Sequence, residues 1–553
     1  MSVPLEEINH MGAPNYVLTP LKKMEMVWSS AILGEPKYYN KSDPQGQTDD
    51  LFLSSLKEAI QFDFKEVLLF AARLRNEFLL RVGPQIIIVE CALHPLRKQF
   101  NEKNPLLFRK IVSDVIKLPT DLYEQLKYFL SKNHNKKSCL PGILKRCWTD
   151  ALEKLNVYQA KKYLHKAHII DIIRLCHPRS RQNEIIEQMI YNKKLETESH
   201  QDTWERLHSQ GRSWTEIGQI LGSNFPHMAL LRNLKNMAYT MKPSDLNILL
   251  RHLENGVLYG KQFPFRYYTA YQQFMNGPDK DKIEIFETNN KKPSKFSKGW
   301  EWKEYRTKKK QNFKSNQDFL KLKDVLDNYA NICQSLEKCM KISLDNLSAI
   351  EGIVVSLCDN SGSAWGAFPS LYGSQTVATI GNLSALFAAL KATKGGFVGI
   401  FGDELEMYQV SKERGILEQL NEINDLGNKI GKSTENGIWL WFQKAYTESL
   451  FYKDVDHLFI YSDMQAGHGQ LYGLNQRDYQ DFNEKGMYIN VMKLIDRHRR
   501  FVNPHLNVFS IQTAGYDNSL IPEVTHRTCI LSGWTGNEIN YASRMIQLWE
   551  ENQ

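Results

Sequence analysis

Residues 359-DNSGS-363 follow directly on the apolar run IVVSLC. In a tight loop at a strand's end, the carboxylate of Asp359 and the hydroxyls of Ser361 and Ser363 can all point at one cation. Such hard oxygen donors suit Mg²⁺, or Mn²⁺, rather than zinc, with water filling the remaining positions. A hydroxyl from 431-GKSTENG-437, either Thr434 or its neighbour Ser433, and the carboxylate of Asp463 after HLFIYS would complete the protein's share. The set leaves a coordination position open, which favours recognition of an outside acid. No second carboxylate accompanies the loop to build a two-metal hydrolytic site. The plainer alternative has Asp359 and Ser361 as ordinary helix caps.

A second group is cationic. In 161-KKYLHKAHIIDIIRLCHPR-179, Lys161, Lys162, His165, Lys166, Arg174, His177 and Arg179 gather donors on one helix pair. Such donors suit phosphates and the 2′-hydroxyls of structured RNA. Against that, His177 can cap a helix before Pro178, and Arg174 can pair with Asp171. A third group is the lysine-rich stretch 278–316, with Phe296, Trp300, Trp302 and Tyr305 interleaved. It is either a solvated connector or an arm for single-stranded RNA. Other chemistries fail on spacing. The segment 427-GNKIGKST-434 has three residues between its glycines where a phosphate loop needs four, and no G-x-S-x-G elbow exists.

The elements that must carry these groups differ between the two halves. From about 50 to 275, apolar residues recur at three and four, as in 65-KEVLLFAARLRNEFLLRVG-83, where Gly83-Pro84 is expected to stop the helix. Similar units cover 106–118, 121–132, 150–164, 181–195, 213–221, 227–241 and 244–253. Short amphipathic helices with short polar joints predict stacked helix pairs, an α-solenoid. After about 345, the apolar runs 352–359, 396–403, 457–463, 507–514 and 528–533 alternate with helical patterns at 378–393, 413–430, 436–448, 486–499 and 537–551. That alternation predicts an α/β doubly wound, open parallel sheet, with ligands beyond the strands' carboxyl ends. The expected limits are an N-terminal segment 1–45, a helical RNA-binding domain 46–345 with its basic insert, and a metal-site domain 346–553.

Composition is consistent with this. The chain has 553 residues, 42% apolar and 24% charged, with a net charge of +8. That supports real cores and makes a nucleic-acid partner plausible. Eight cysteines show no C-x-x-C spacing, which argues against a zinc ribbon. There is neither a run of apolar residues long enough to span a bilayer nor a signal-peptide pattern, so the expected setting is cytoplasmic.

The metal arrangement resembles the adhesion-type metal site of von Willebrand factor A domains. More broadly, the chain resembles the Ro autoantigen (TROVE-domain) family over roughly 50 to 550. The segments 172-IIRLCH-177, 229-ALLRNLKNM-237 and 263-FPFRYYTAYQQF-274 are similar to its helical half. The segments 401-FGDELEMY-408, 461-YSDMQAG-467, 513-TAGYDNS-519 and 533-GWTGN-537 are similar to its second half. The resemblance implies a HEAT-like helical-repeat ring joined to a von Willebrand A-like domain, no catalysis, and a monomer. It implies binding of small structured non-coding RNAs (Y RNAs) outside the ring and passage of misfolded RNA 3′ ends through it. It further implies co-operation with an exoribonuclease if the source is bacterial, and places His177 at the family's RNA-binding histidine. An adhesion-type, metal-dependent protein-binding module without an RNA role is the other reading. The family's glycine pair before the metal-loop threonine is replaced here by Lys432-Ser433.

Overall fold

A computed structural model describes residues 6–8, 14–30, 47–77, 80–133, 140–156, 159–160, 163, 168–178, 185–186, 188, 203–278, 322–365, 376–431, 436–448, 450–462, 489–513, 520–521, 527–532 and 536–551. The chain divides into two compact units. One comprises Met1–Glu198, Ile350–Val410 and Ile423–Gln553; the other comprises Ser199–Ala349 and Ser411–Glu422.

In the first unit, helices pack as stacked neighbours. Phe64–Asn76 packs on Val82–Leu93 and Leu107–Val115, and Gly142–Glu153 packs on Leu107–Val115 and Ile169–Cys176. Asp63 starts the first of these, its Oδ1 accepting the N–H groups of Lys65 and Glu66 at 2.9 and 3.0 Å. Two expectations are corrected here. Gly83-Pro84 does not stop a helix; it lies in the first turn of Val82–Leu93, where proline's missing N–H costs no intrahelical bond. The helix expected at 150–164 is interrupted at 154–156, with 159, 160 and 163 helical again, and its first residues belong to the helix Gly142–Glu153. The latter is fixed by its buried stripe of Ile143, Leu144, Cys147, Trp148 and Leu152.

A buried polar chain ties these helices together. Trp148 Nε1 donates to Gln125 Oε1 at 2.7 Å, and Gln125 Nε2 donates to Gln85 Oε1 at 2.7 Å. Beside it, Arg75 pairs with buried Asp121 at 2.9 Å, and Asp121 also accepts the N–H groups of Lys117 and Leu118. Such multiple pairing is what makes a buried charge tolerable. The N-terminal segment contributes the helix Pro20–Ser30. Its Trp28 Nε1 donates to Phe52 O at 3.1 Å among the helices, while Met26 enters the apolar core beside the sheet.

In the second unit, Pro264–Met275 and Pro243–Asn255 pack against the 22-residue helix Leu322–Ser343, which the hydrophobic pattern had not singled out. Asn328 of that helix donates to both Ala238 O and Met241 O, closing the open carbonyl end of His227–Thr240.

The sheet follows the alternation read from sequence. After a short ribbon, β1 (Glu6–Ile8) with β2 (Pro14–Tyr16), come β3 (Ile353–Asp359), β4 (Gly395–Phe401), β5 (Leu405–Gln409), β6 (His457–Ser462), β7 (Asn507–Gln512) and β8 (Thr528–Ser532). The sheet order is β5-β4-β3-β6-β7-β8, all parallel except the antiparallel edge pair β4–β5. Burial on both faces explains why these strands read as unbroken apolar runs rather than alternating ones. The order places β3 and β6 at the centre, so their carboxyl ends meet. Cys358 is in register with Tyr461.

Candidate metal loop and nucleic-acid interface

Asp359 ends β3 and is 3% exposed. Its Oδ1 accepts the N–H of Ser361 at 2.8 Å, which curls the chain so that Ser361 Oγ lies 3.0 Å from Ser363 Oγ. The structure therefore brings three of the five expected ligands into one tight loop. The other two, Thr434 and Asp463, lie outside the described residues. Their flanks are described. Gly431 O accepts Asp403 N–H at 2.8 Å and Asn436 N–H donates to Gly402 O at 2.9 Å, so both ends of 432–435 are pinned to the corner after β4. That corner adjoins the aspartate loop, because Asn360 N–H donates to Phe401 O at 2.7 Å. Ser462, which precedes Asp463, ends β6 in register with Gln512.

Glycines make the approach possible. A Cβ on Gly437 would lie 1.9 Å from Phe401 Cβ, and one on Gly402 would lie 2.1 Å from Gly431 O. Sequence reasoning missed the loop's anchor. Asn360 and Asn382 exchange amide hydrogen bonds at 2.8 and 3.0 Å, and Asn382 Nδ2 also donates to Asn424 Oδ1 at 2.9 Å. The available signal was Asn382 itself, an amide in the largely apolar helix Val377–Leu390.

The donors fit a hard cation: one buried carboxylate and two hydroxyls, with no thiolate competing. Burial, and next the Asp359 carboxylate, push the Cys358 thiol well up, so it stays protonated. Among the described residues, no three His, Cys, Asp or Glu side chains form a metal cluster. Glu538 is buried at the start of Asn537–Glu551. Desolvation raises its carboxyl to about 7, partly offset by backbone donors including Gly536 N–H.

Of the expected RNA-binding residues, Lys161, Lys162, His165, Lys166 and Arg179 lie outside the described residues, as does the lysine-rich stretch from 279 to 321. Arg174 and His177 are described, and both are exposed. Helix Ile169–Cys176 buries Ile169, Ile172 and Ile173, which turns Arg174 outward. Asp171 faces His168 at 3.4 Å rather than Arg174, and His168 stacks on Tyr123 at 4.8 Å. His177 is the helix's C-cap, held in the left-handed region at φ 51° with its N–H on Ile173 O. Capping is done by its backbone, so the ring remains available. Sequence reasoning missed Lys145 and Arg146 on the packed neighbour Gly142–Glu153. Burial pushes the Cys176 thiol up to about 12, and Lys145 is close enough to pull it back. Two packed helices thus both carry cations, Lys145 and Arg146 on one and Arg174 on the other.

Stacked helices and a doubly wound sheet with a D-x-S-x-S loop at its carboxyl edge define a helical-repeat protein carrying a von Willebrand A-like domain. Residues 194–352 match the TROVE domain family model. The crystal structure of the Deinococcus radiodurans Ro (RSR) protein is similar over 95% of this chain and 100% of that chain, with a TM-score of 0.55 and 12% identity. No curated protein matches this sequence. The domain match agrees with the sequence motifs, and the structural match shows a shared fold.

Proposed function

We propose that this chain is an RNA-binding component of a ribonucleoprotein, without catalysis of its own. It would hold small, structured, Y-like RNAs on its helical domain and act on misfolded RNA ends in quality control or decay. The observation that carries the reading is the set of cations on two packed helices, exposed Arg174 and His177 on one and exposed Arg146 with half-buried Lys145 on the other. A-form RNA offers phosphates and 2′-hydroxyls to such cations without demanding base readout. The TROVE domain match supports the same reading. The proposed setting is the cytoplasm, with a monomeric chain and, in a bacterium, an exoribonuclease as partner.

The aspartate loop would hold Mg²⁺ or Mn²⁺ through Asp359, Ser361 and Ser363, with Thr434 and Asp463 as the remaining protein ligands. A bound cation there supplies an open position for an outside carboxylate. The chain's own part is to fix the loop through Asn360 and to keep it buried.

Lys145→Glu with Arg174→Glu tests the RNA reading. Each cation withdrawn from a phosphate should lower the slope of log affinity against log salt by about 0.7 to 0.9. Filter binding of a structured hairpin RNA at several salt concentrations should show weaker binding and a flatter slope. Unchanged affinity and slope in a folded variant would leave the metal-dependent protein-binding reading in its place.

A further inference from the structure

We infer that the von Willebrand A-like domain carries a second nucleic-acid surface, a stacking platform for single-stranded RNA on the outward face of helices Gly437–Glu448 and Val491–Phe501. The inference rests on the RNA-binding reading above and extends it to a different surface. Tyr446 and Phe501, one from each helix, are 45% and 60% exposed, with ring centroids 5.9 Å apart at 74°. Two large rings left open side by side on packed helices mark a surface that something covers.

Each ring has a guanidinium beside it. Arg497 lies 4.7 Å from the Tyr446 centroid and is steadied by its Nη2 donating to Gln443 Oε1 at 3.0 Å. Arg500 lies 6.0 Å from the Phe501 centroid. The platform is therefore preorganised, with the cations already held against the rings they would serve alongside.

Charge selects the occupant. The helices Gly437–Glu448, Leu450–Lys453 and Val491–Phe501 carry six lysines and arginines against two carboxylates, Glu448 and Asp496. One of the six, Arg499, turns inward to Leu506 O and Arg527 O, which leaves these helices a surplus of three cations, with Arg497 and Arg500 placed at the rings. Alternating exposed rings and cations match a strand whose bases are free to stack and whose phosphates lie beside them. Duplex RNA fits worse, since its bases are already stacked on one another. The platform does not depend on reading base edges, so it tolerates any sequence.

Fluorescence anisotropy with labelled oligouridylate tests this, using the full chain and Tyr446→Ala with Phe501→Ala. Each ring stacks one base, so loss of both should weaken single-strand binding about thirtyfold or more. Affinity for a blunt hairpin should be unchanged. Tyr446→Phe with Phe501→Tyr keeps both faces and should retain wild-type affinity, which a role in folding alone would not predict for the alanine pair if its melting temperature matches wild type. Unchanged oligouridylate affinity in the alanine pair overturns the platform, including the case where the pair instead loses a peptide or protein ligand. Equal loss for oligouridylate and hairpin also overturns it. A wild type that binds neither RNA refutes the proposed function as a whole, so the two failures are distinct.

Discussion

Replacing His498 by phenylalanine should remove much of the acid sensitivity of the sheet-bearing unit. His498 is 2% exposed and stacks on Trp441 at 5.3 Å, with Phe442 edge-on at 5.7 Å. Neither ring nitrogen has a hydrogen-bond partner among the described residues. Burial, and then the neighbouring Arg499 and Arg497, pull its pKa down to about 4 from 6.5. The unfolded chain therefore binds a proton below about pH 6.5 that the folded chain refuses until about pH 4. Stability from the neutral ring is present above the unfolded value and is lost as pH falls toward the folded one. At about 1.36 kcal/mol per pKa unit, the whole window holds roughly 3 kcal/mol, of which about 2 kcal/mol falls between about pH 7 and pH 5. Urea unfolding followed by circular dichroism at both pH values measures it. The wild-type midpoint should fall on acidification by more than that of His498→Phe. His227 and buried His457, whose pKa values are also lowered by desolvation, remain in both proteins and set a common background. Parallel falls in wild type and variant would refute the argument.

Two further outcomes follow from the loop geometry. Asp359→Ala should abolish Mg²⁺ heat in calorimetry while leaving hairpin RNA affinity nearly intact; no wild-type heat, or equal heats, would refute the metal site. Gly437→Ala should lower the melting temperature and weaken Mg²⁺ binding together, because overpacking of about 1–3 kcal/mol must be relieved by moving Phe401 or the start of the helix that follows 432–435. Loss of stability with the metal heat unchanged would detach that glycine from the loop.

The sheet was legible because its central strands are buried on both faces, so that IVVSLC and HLFIYS each stand out as apolar runs before a carboxylate. The aspartate loop was legible for the same reason: it begins where β3 must stop. The edge strand β5 was not readable as a separate strand, since its half-exposed LEMYQ lacks a continuous apolar run. Helical boundaries were less legible still. A Gly-Pro pair serves a helix's first turn as well as its end, and only the buried Ile87, Ile88 and Val89 beyond it settle which.

The partners of the two candidate sites escaped notice for a different reason. Lys145 and Arg146 sit some thirty residues before Arg174, and their helix packs on that of Arg174 in a stack that Trp148, Gln125 and Gln85 help to lock. Asn360, Asn382 and Asn424 come from a strand end and two helices and meet through amide groups that each look ordinary in isolation. Both assemblies are made by packing across elements rather than by spacing along one. A motif can place a ligand at a strand end, but the partners that hold it rigid are chosen by which helices the sheet brings over it. That is why the loop's carboxylate and hydroxyls were readable from five consecutive residues, whereas the residues that hold it rigid required the fold.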